Sequence, residues 1–384
     1  MGVENHANEG KLLFSFGQPG QISVPGTNNV PERSSMETTV HLLRRVTPDL
    51  INCLIARYNI LRNVFFTQPV GRRLLAGKLD LPERFVRSEV EFLRQHGFLR
   101  SEPGGMMVTP EGEAVIWQLE ELIRSLSGIT TLEARLKEKL GLQLAIVPGD
   151  SDSDPIVRVD IGRAAAHILK KHLRDGQIVA LTGGATVAAL ADNMVPVPAK
   201  GVLVVPARGG LSQPFEYQAN YVVAKLAEKI GASYQLLHVP DNLAPDVLEK
   251  VLNDSQIQGM IKTIKSANIL IHGIGPAREM AEKRGCAENE LADLLQQGAI
   301  GEALGCYFNL KGEIVQAIST AAIQHEDLDS VERIIAVAGG RKKAAAILAA
   351  LPRRKQDILV TDEGAAREMM DILETGADNR VIPG

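Results

Sequence analysis

The chain has 384 residues, 45% hydrophobic and 23% charged with only 4% aromatic, a globular balance that suits two domains and helices packed on a parallel sheet better than an all-β fold. Its formal net charge of −4 hides an asymmetry: the stretch from Arg44 to Pro110 holds eleven Arg or Lys against six Asp or Glu, a local +5 on a body near −9, so a nucleic-acid contact is expected there. Cys53, Cys286 and Cys306 form no CxxC pair, the eight histidines lack ligand spacing, and no run of eighteen apolar residues occurs, which excludes a metal centre, a disulfide scaffold and a membrane span and points to a reduced, cytoplasmic setting.

Residues 1–40 are rich in Gly, Pro, Asn and Ser and have no sustained period, so they are expected to form a disordered leader, with Met36 a candidate translation start. Nothing in them reads as a secretory signal. Order is expected from Thr47-Pro48-Asp49, a helix start with Thr47 as cap and Pro48 in the first turn. Leu50, Ile51, Leu54, Ile55, Tyr58, Leu61 and Phe65 follow at helical spacing. A second helix is predicted from Gly71 to Leu79 and a third from Pro82 to Gly97, with Val86, Val90 and Leu93 inward and Arg84, Arg87 and Arg94 outward. Phe98–Ser101 and Met106–Thr109, separated by Glu102-Pro103-Gly104-Gly105, make a hairpin.

Three helices and a two-stranded wing describe a winged helix-turn-helix over residues 41–110. Its third helix would enter the major groove, where Arg84, Arg87 and Ser88 face base edges, while Arg72 and Arg73 suit phosphates. Residues 111–140 are predicted as one linker helix. Val115, Leu119, Leu122, Leu126 and Ile129 are spaced four, three, four and three, continued loosely by Leu136 and Leu140. That seam fits a dimerising coil and a helix packed on its own head equally. Trp117 and the leucines around it are expected in the core.

From residue 141 to 375 short apolar runs alternate with helical patterns. The runs are Leu144–Val147, Ile178–Leu181, Val202–Val205, Gln235–His238, Ile269–Ile271, Ile334–Val337 and Ile358–Val360. This is the pattern of an α/β domain with a doubly wound, mostly parallel sheet. Residues 376–384 are expected to be a frayed tail.

Several strands end in small residues: Thr182-Gly183-Gly184-Ala185-Thr186, Pro206-Ala207-Arg208-Gly209-Gly210, His272-Gly273-Ile274-Gly275 and Ala338-Gly339-Gly340-Arg341-Lys342-Lys343. Such loops share the carboxyl edge of an open sheet, where ligands bind. Glycines let the backbone approach an anion, and the following helix presents its positive end. No Lys-Ser/Thr follows, so a nucleotide is not implied. Arg208 and Lys343 at the same edge favour an anion. His272 reads as a core histidine and Asp362 as a helix cap.

These loops, with Thr263-Ile264-Lys265-Ser266-Ala267 and Val360-Thr361-Asp362-Glu363-Gly364-Ala365-Ala366, resemble the sorbitol-operon (SorC/DeoR-type) family of sugar-binding transcriptional repressors, glycolytic members above all, from about residue 47 to 373. The resemblance implies a sensor domain similar to the sugar-phosphate isomerase and deaminase fold. It implies a repressor, dimeric or tetrameric, that binds double-stranded operator DNA ahead of a glycolytic operon. The implied inducer is fructose 1,6-bisphosphate or a related sugar phosphate, with no other cofactor. The family's effector contacts fall on Gly184, Ala185, Thr186, Arg208, Gln218, Lys283, Glu302 and Lys343. Two positions depart: Ala185 lacks a threonine hydroxyl worth about 0.5–1.5 kcal/mol, and Lys283 replaces an arginine and loses its fork, though Arg284 lies beside it. Both leave bisphosphate and monophosphate open. An isomerase- or deaminase-like enzyme with a fused head is the other reading; no proton-transfer set assembles behind Gly273–Gly275, so no enzyme activity is expected.

Overall fold

The computed structural model describes residues 35–210, 213–241, 243–318, 323–351 and 357–375. Most of the expected leader and the tail at 376–384 lie outside the described residues. Within the leader one correction is needed: a helix, α1 (Ser35–Val46), precedes Thr47. Leu42, Leu43 and Val46 on it are exposed, so these apolar residues give no buried stripe for periodicity to reveal. It is held instead by Arg44, whose guanidinium donates to Leu126 O. Thr47 does not cap the next helix; its hydroxyl donates back to Leu43 O.

The head continues with α2 (Pro48–Thr67), α3 (Arg72–Leu79), α4 (Glu83–Gln95) and the hairpin β1 (Leu99–Glu102) and β2 (Gly105–Val108), with Leu99 opposite Val108. Val86, Val90 and Leu93 of α4 join Ile60, Leu61, Leu75 and Val108 in one buried cluster. Gly105 is required at the wing, because a Cβ there would sit 2.7 Å from the Val70 backbone, which pairs with Met106.

The predicted linker helix is two helices, α5 (Pro110–Leu126) and α6 (Ile129–Leu140), broken at Gly128 with φ of 76°. Thr109 caps α5 by accepting from Gly112 N. The two halves have different hosts. Ile116 and Ile123 of α5 lie in the head core, whereas Ile129, Leu132 and Leu136 of α6 lie in the core of the body. Val115 and Leu119 pack on the head, and Leu122 and Leu126 pack against Ile51, Leu54 and Ile55 of α2. The apolar seam is thus used within the chain. Trp117 is 39% exposed, a correction to its expected core place.

The body contains β3 (Gln143–Val147), α7 (Pro155–His172), β4 (Ile178–Leu181), α8 (Ala185–Asn193), β5 (Leu203–Pro206), α9 (Ala219–Ile230), β6 (Ser233–Tyr234), α10 (Pro245–Leu252) and α11 (Ser255–Lys265). There follow β7 (Ile269–Gly273), β8 (Gly275–Pro276), α12 (Ala277–Lys283), α13 (Glu288–Gln296), β9 (Gly301–Ala303), β10 (Cys306–Phe308), β11 (Ile314–Ala317), β12 (Arg333–Val337), α14 (Ala344–Ala350), β13 (Ile358–Asp362) and α15 (Glu363–Thr375). The main sheet has strand order β3-β13-β12-β7-β4-β5-β6, every pairing parallel.

Alternate strand residues face opposite layers, as period two requires. Val179 and Leu181 pack with α7, α8 and α9, while Ala180 packs on the opposite face with Ile264 and Leu248. The strand expected at Gln235–His238 is instead the shorter pairing at Ser233–Tyr234. Asn220 takes over the Leu237 backbone, accepting from its N and donating to its O, which ends the ladder. A second, antiparallel sheet of order β11-β10-β9-β8 was not legible in the sequence, because its strands are only two to four residues long.

Head and body touch through α7. Arg62 of α2 is ion-paired with Asp160 and lies 4.0 Å from Asp154, which also accepts from Asn63. Arg163, paired with Asp160, stands over the rings of Trp117 and Phe66 at 4.6 and 5.2 Å. Among the described residues no helix is long and apolar enough to cross a membrane.

Candidate effector pocket and DNA-facing surface

The strand order reverses between β4 and β7, since the chain runs from β4 outward to β6 and then returns to β7 on the other side. Loops leaving adjacent strands at such a point diverge and open a crevice. A cavity of about 500 Å³ occupies it. Gly184, Ala185, Thr186, Arg208, Lys283, Glu302 and Lys343 all line it. Gln218 does not. Its amide donates to Gln213 O at 3.3 Å, and Gln213 and Tyr217 form the wall in its place.

The glycine loop is shaped by its neighbours. A Cβ on Gly183 would lie 2.5 Å from Tyr217 O, and Gly184 has φ of 117°. The Gly184 N–H is taken by Tyr217 O at 2.8 Å, and the first intrahelical bond of α8 is Ala188 N to Gly184 O. Helix geometry therefore leaves the N–H groups of Ala185, Thr186 and Val187 without intrahelical acceptors at the pocket. That arrangement can cradle an anion, and Ala185 has only its backbone N–H to offer there.

Beside it lies a buried charge network. Arg208 is 5% exposed and forms a fork on Asp241, with bonds of 3.0 and 2.8 Å from Nη2 and 3.1 Å from Nε. Its Nη1 has no hydrogen-bond partner, although Glu302 Oε1 is 3.9 Å away. Arg284 donates to Glu302 at 2.8 Å and to Tyr307 at 3.0 Å and lies 3.8 Å from Asp241. Burial pulls its pKa down, but Glu302, Tyr307 and Asp241 more than reverse this and hold it above the usual arginine value. Glu302 and Tyr307 are directly paired across β9 and β10, so the antiparallel sheet positions this network. Arg284 is consequently locked in place, while Lys283 is half-exposed and only 3.9 Å from Glu279.

On the other side of the crevice stand Lys343, Arg158, Ser151 and Asp152. Burial lowers the pKa of the Lys343 ammonium, with Glu279 and Asp152 opposing and Lys283 and Arg158 reinforcing. Asp362 does cap α15, through Ala365 N, but also accepts from Ser151 N at 2.9 Å and Gly340 N at 2.7 Å. It ties together the loops after β3 and β12 and the start of α15. Burial nonetheless raises its pKa. His272 is fully buried, with Nδ1 3.0 Å from Gly273 O. Arg158, Ser151, Asp152, Gln213 and Tyr217 were missed in the sequence. Arg158 left one signal, a lone cation among apolar residues at the start of α7.

In the head, Arg72, Arg73, Arg84, Arg87 and Ser88 are all exposed. Arg73 is 3.6 Å from Glu83, whereas Arg94 is engaged by Glu91 at 2.7 Å. The Ser88 hydroxyl donates to Phe85 O, leaving its oxygen to accept. Arg84, Arg87 and Ser88 share the outer side of α4, opposite the buried Val86 and Val90.

Comparison with known proteins agrees with this division. Residues 124–371 match the model of a sugar-binding domain family, and residues 53–123 match that of the CggR N-terminal DNA-binding domain. The chain is 42% identical over 338 residues to the central glycolytic genes regulator of Priestia megaterium (strain DSM 319 / IMG 1521), covering 87% of this chain and 99% of that protein. A protein from Enterococcus faecalis, assigned to the SorC family of transcriptional regulators, has a similar structure, with a TM-score of 0.59 and 34% identity over 62% of this chain and 99% of its own. The full-length sorbitol operon regulator SorC from Klebsiella pneumoniae shares the fold at 18% identity, with a TM-score of 0.57 over 87% of this chain and 99% of its own.

Proposed function

Because this chain belongs to the SorC family of sugar-binding transcriptional regulators, we propose that it represses a glycolytic operon and that a sugar phosphate entering the crevice relieves or remodels operator binding. Fructose 1,6-bisphosphate is the foremost effector. The observation that carries this reading is Arg208 Nη1, deeply buried, without a hydrogen-bond partner, and on the wall of a pocket that also offers the free N–H groups of α8. Asp241 and Glu302 hold the guanidinium in place, so little order is lost when a phosphate meets it.

The operator is read by Arg84, Arg87 and Ser88 on α4, with Arg72 and Arg73 on phosphates. An effector acts only if it prefers one arrangement of head and body over another. Holding rather than turning over the sugar suits Glu302 on the pocket wall, because it is committed to Arg284 and Gly305 N. Asp362, close to the crevice, is likewise committed to three backbone donors.

The experiment is a thermal-unfolding scan with fructose 1,6-bisphosphate, ribose 5-phosphate and inorganic phosphate, followed by operator titrations. A ligand at 100 times its dissociation constant adds about 2.7 kcal/mol, a readily visible shift. A shift for the bisphosphate alone is expected. A shift only from a monophosphate would move the effector class, and no shift from any phosphate would end the sensor reading.

A further inference from the structure

α7 has two faces with different duties. Arg158 and Gly162, four residues apart, share one face. Gly162 brings that face against α8, since a Cβ there would lie 2.5 Å from the Ala189 backbone. Arg158 thereby reaches the crevice beside the helix that offers the anion cradle. Asp160 and Arg163, three apart, share another face and hold the head through Arg62, Phe66 and Trp117. Asp154, the cap of α7, holds Asn63 and receives Ile156 N. One rigid helix of eighteen residues therefore touches both the pocket and the DNA-binding head.

Arg158 is half-buried on the pocket wall and has no hydrogen bond or ion pair among the described residues. Its neighbours in the crevice are Lys343 and Lys283, with Asp152 and Glu279 as the facing carboxylates. Both carboxylates have other commitments: Asp152 accepts Lys342 N at 2.8 Å, and Glu279 pairs with Lys283. Arg158 and Lys343, gathered without a side-chain partner among the described residues, are costly unless an anion joins them. Lys343 also lies apart from Arg208. Arg208 follows β5 and Lys343 follows β12, and β4 and β7 stand between those strands. Three strand spacings make about 14 Å between the strand ends. The crevice thus carries cations on two sides, Arg208 on one and Lys343 with Arg158 on the other.

We propose that Arg158 contacts the second phosphate of a sugar bisphosphate and that, because α7 carries it, this contact passes pocket occupancy to the head. The proposal rests on the sugar-phosphate reading above and adds to it a residue and a route. A monophosphate held at Arg208 would leave Arg158 unengaged.

The test uses the full chain, with titration calorimetry of fructose 1,6-bisphosphate and fructose 6-phosphate on wild type, Arg158→Gln and Arg158→Lys. Arg158→Gln should lose about tenfold or more in bisphosphate affinity and less than about threefold in monophosphate affinity. Arg158→Lys, which keeps the charge without the fork, should fall between. At bisphosphate concentrations that saturate Arg158→Gln, the operator should be released less than from wild type. An unchanged bisphosphate affinity in Arg158→Gln would overturn the contact, as would an equal loss for both ligands, which marks only a weaker field. A full operator response from saturated Arg158→Gln would overturn the route. Failure of the wild type to bind either sugar phosphate would instead fell the sensor reading, and the assignment with it.

Discussion

Arg62 of α2 and Asp160 of α7 form an ion pair across the boundary between head and body, with 8% and 9% of their side chains exposed. Burial lowers the pKa of Arg62, with Tyr58 of the head and Asp154 of the body opposing. Removing one partner of a buried pair strands the other. Asp160→Asn should therefore destabilise the chain by about 3 kcal/mol, the low end of such losses because Asp154 stays near Arg62. Urea unfolding checks the magnitude. A loss below about 0.5 kcal/mol would mean the boundary is solvated and the pair contributes little.

Gly305 lies against the Arg208 guanidinium, so that any Cβ would overlap it, and its φ is 80°. Gly305→Ala should displace Arg208 from Asp241 and lower sugar-phosphate affinity by about tenfold or more. Operator binding without effector should persist, since the head is untouched. Unchanged calorimetric affinity would show that Arg208 is not the phosphate ligand.

Arg208→Gln illustrates a different risk. Asp241 is almost fully buried and loses its fork in this variant, so stability should fall by about 3–5 kcal/mol along with effector affinity. Adding Asp241→Asn should recover much of the stability and none of the affinity. Recovery of both would assign Arg208 a purely structural role.

Lys343 gives a pH dependence whose sign follows from its environment. Its folded pKa lies below the ordinary 10.5, because burial disfavours the ammonium. Between the lowered and the ordinary value the unfolded chain binds more protons, so this residue's contribution to stability rises with pH there. A bound phosphate favours the ammonium, so effector affinity should fall as pH rises through the lowered value. Calorimetry in buffers of different ionisation enthalpy should show proton uptake on binding, absent in Lys343→Gln. Equal proton uptake by the variant would place the linkage elsewhere.

Arg84→Ala and Arg87→Ala should each cost about 1–3 kcal/mol of operator affinity and relax discrimination at one base position. Arg72→Ala should weaken all sequences alike and reduce the slope of log affinity against log salt by about 1. Mobility-shift titrations at several salt concentrations separate the two classes; indifference of the operator to all three would remove α4 from the groove.

The sequence by itself determined the parallel α/β body, the winged head, the buried stripe of α4 and the residues at the crevice loops. Each of these is a local pattern: strand runs, helical spacing, or glycines after strands, legible because periodicity and turn chemistry act over a few residues. Only the tertiary structure decided matters that depend on distant partners. The break at Gly128 divides an unbroken apolar seam because Ile123 is buried in the head and Leu136 in the body. Arg208 is fixed by Asp241, thirty-three residues away, and Gln218 is turned from the pocket by Gln213. Arg158 was not singled out in the sequence, and it is the crossing of α7 between pocket and head that gives it a place. Burial and charge pairing are properties of assembled space, and no window of sequence contains them.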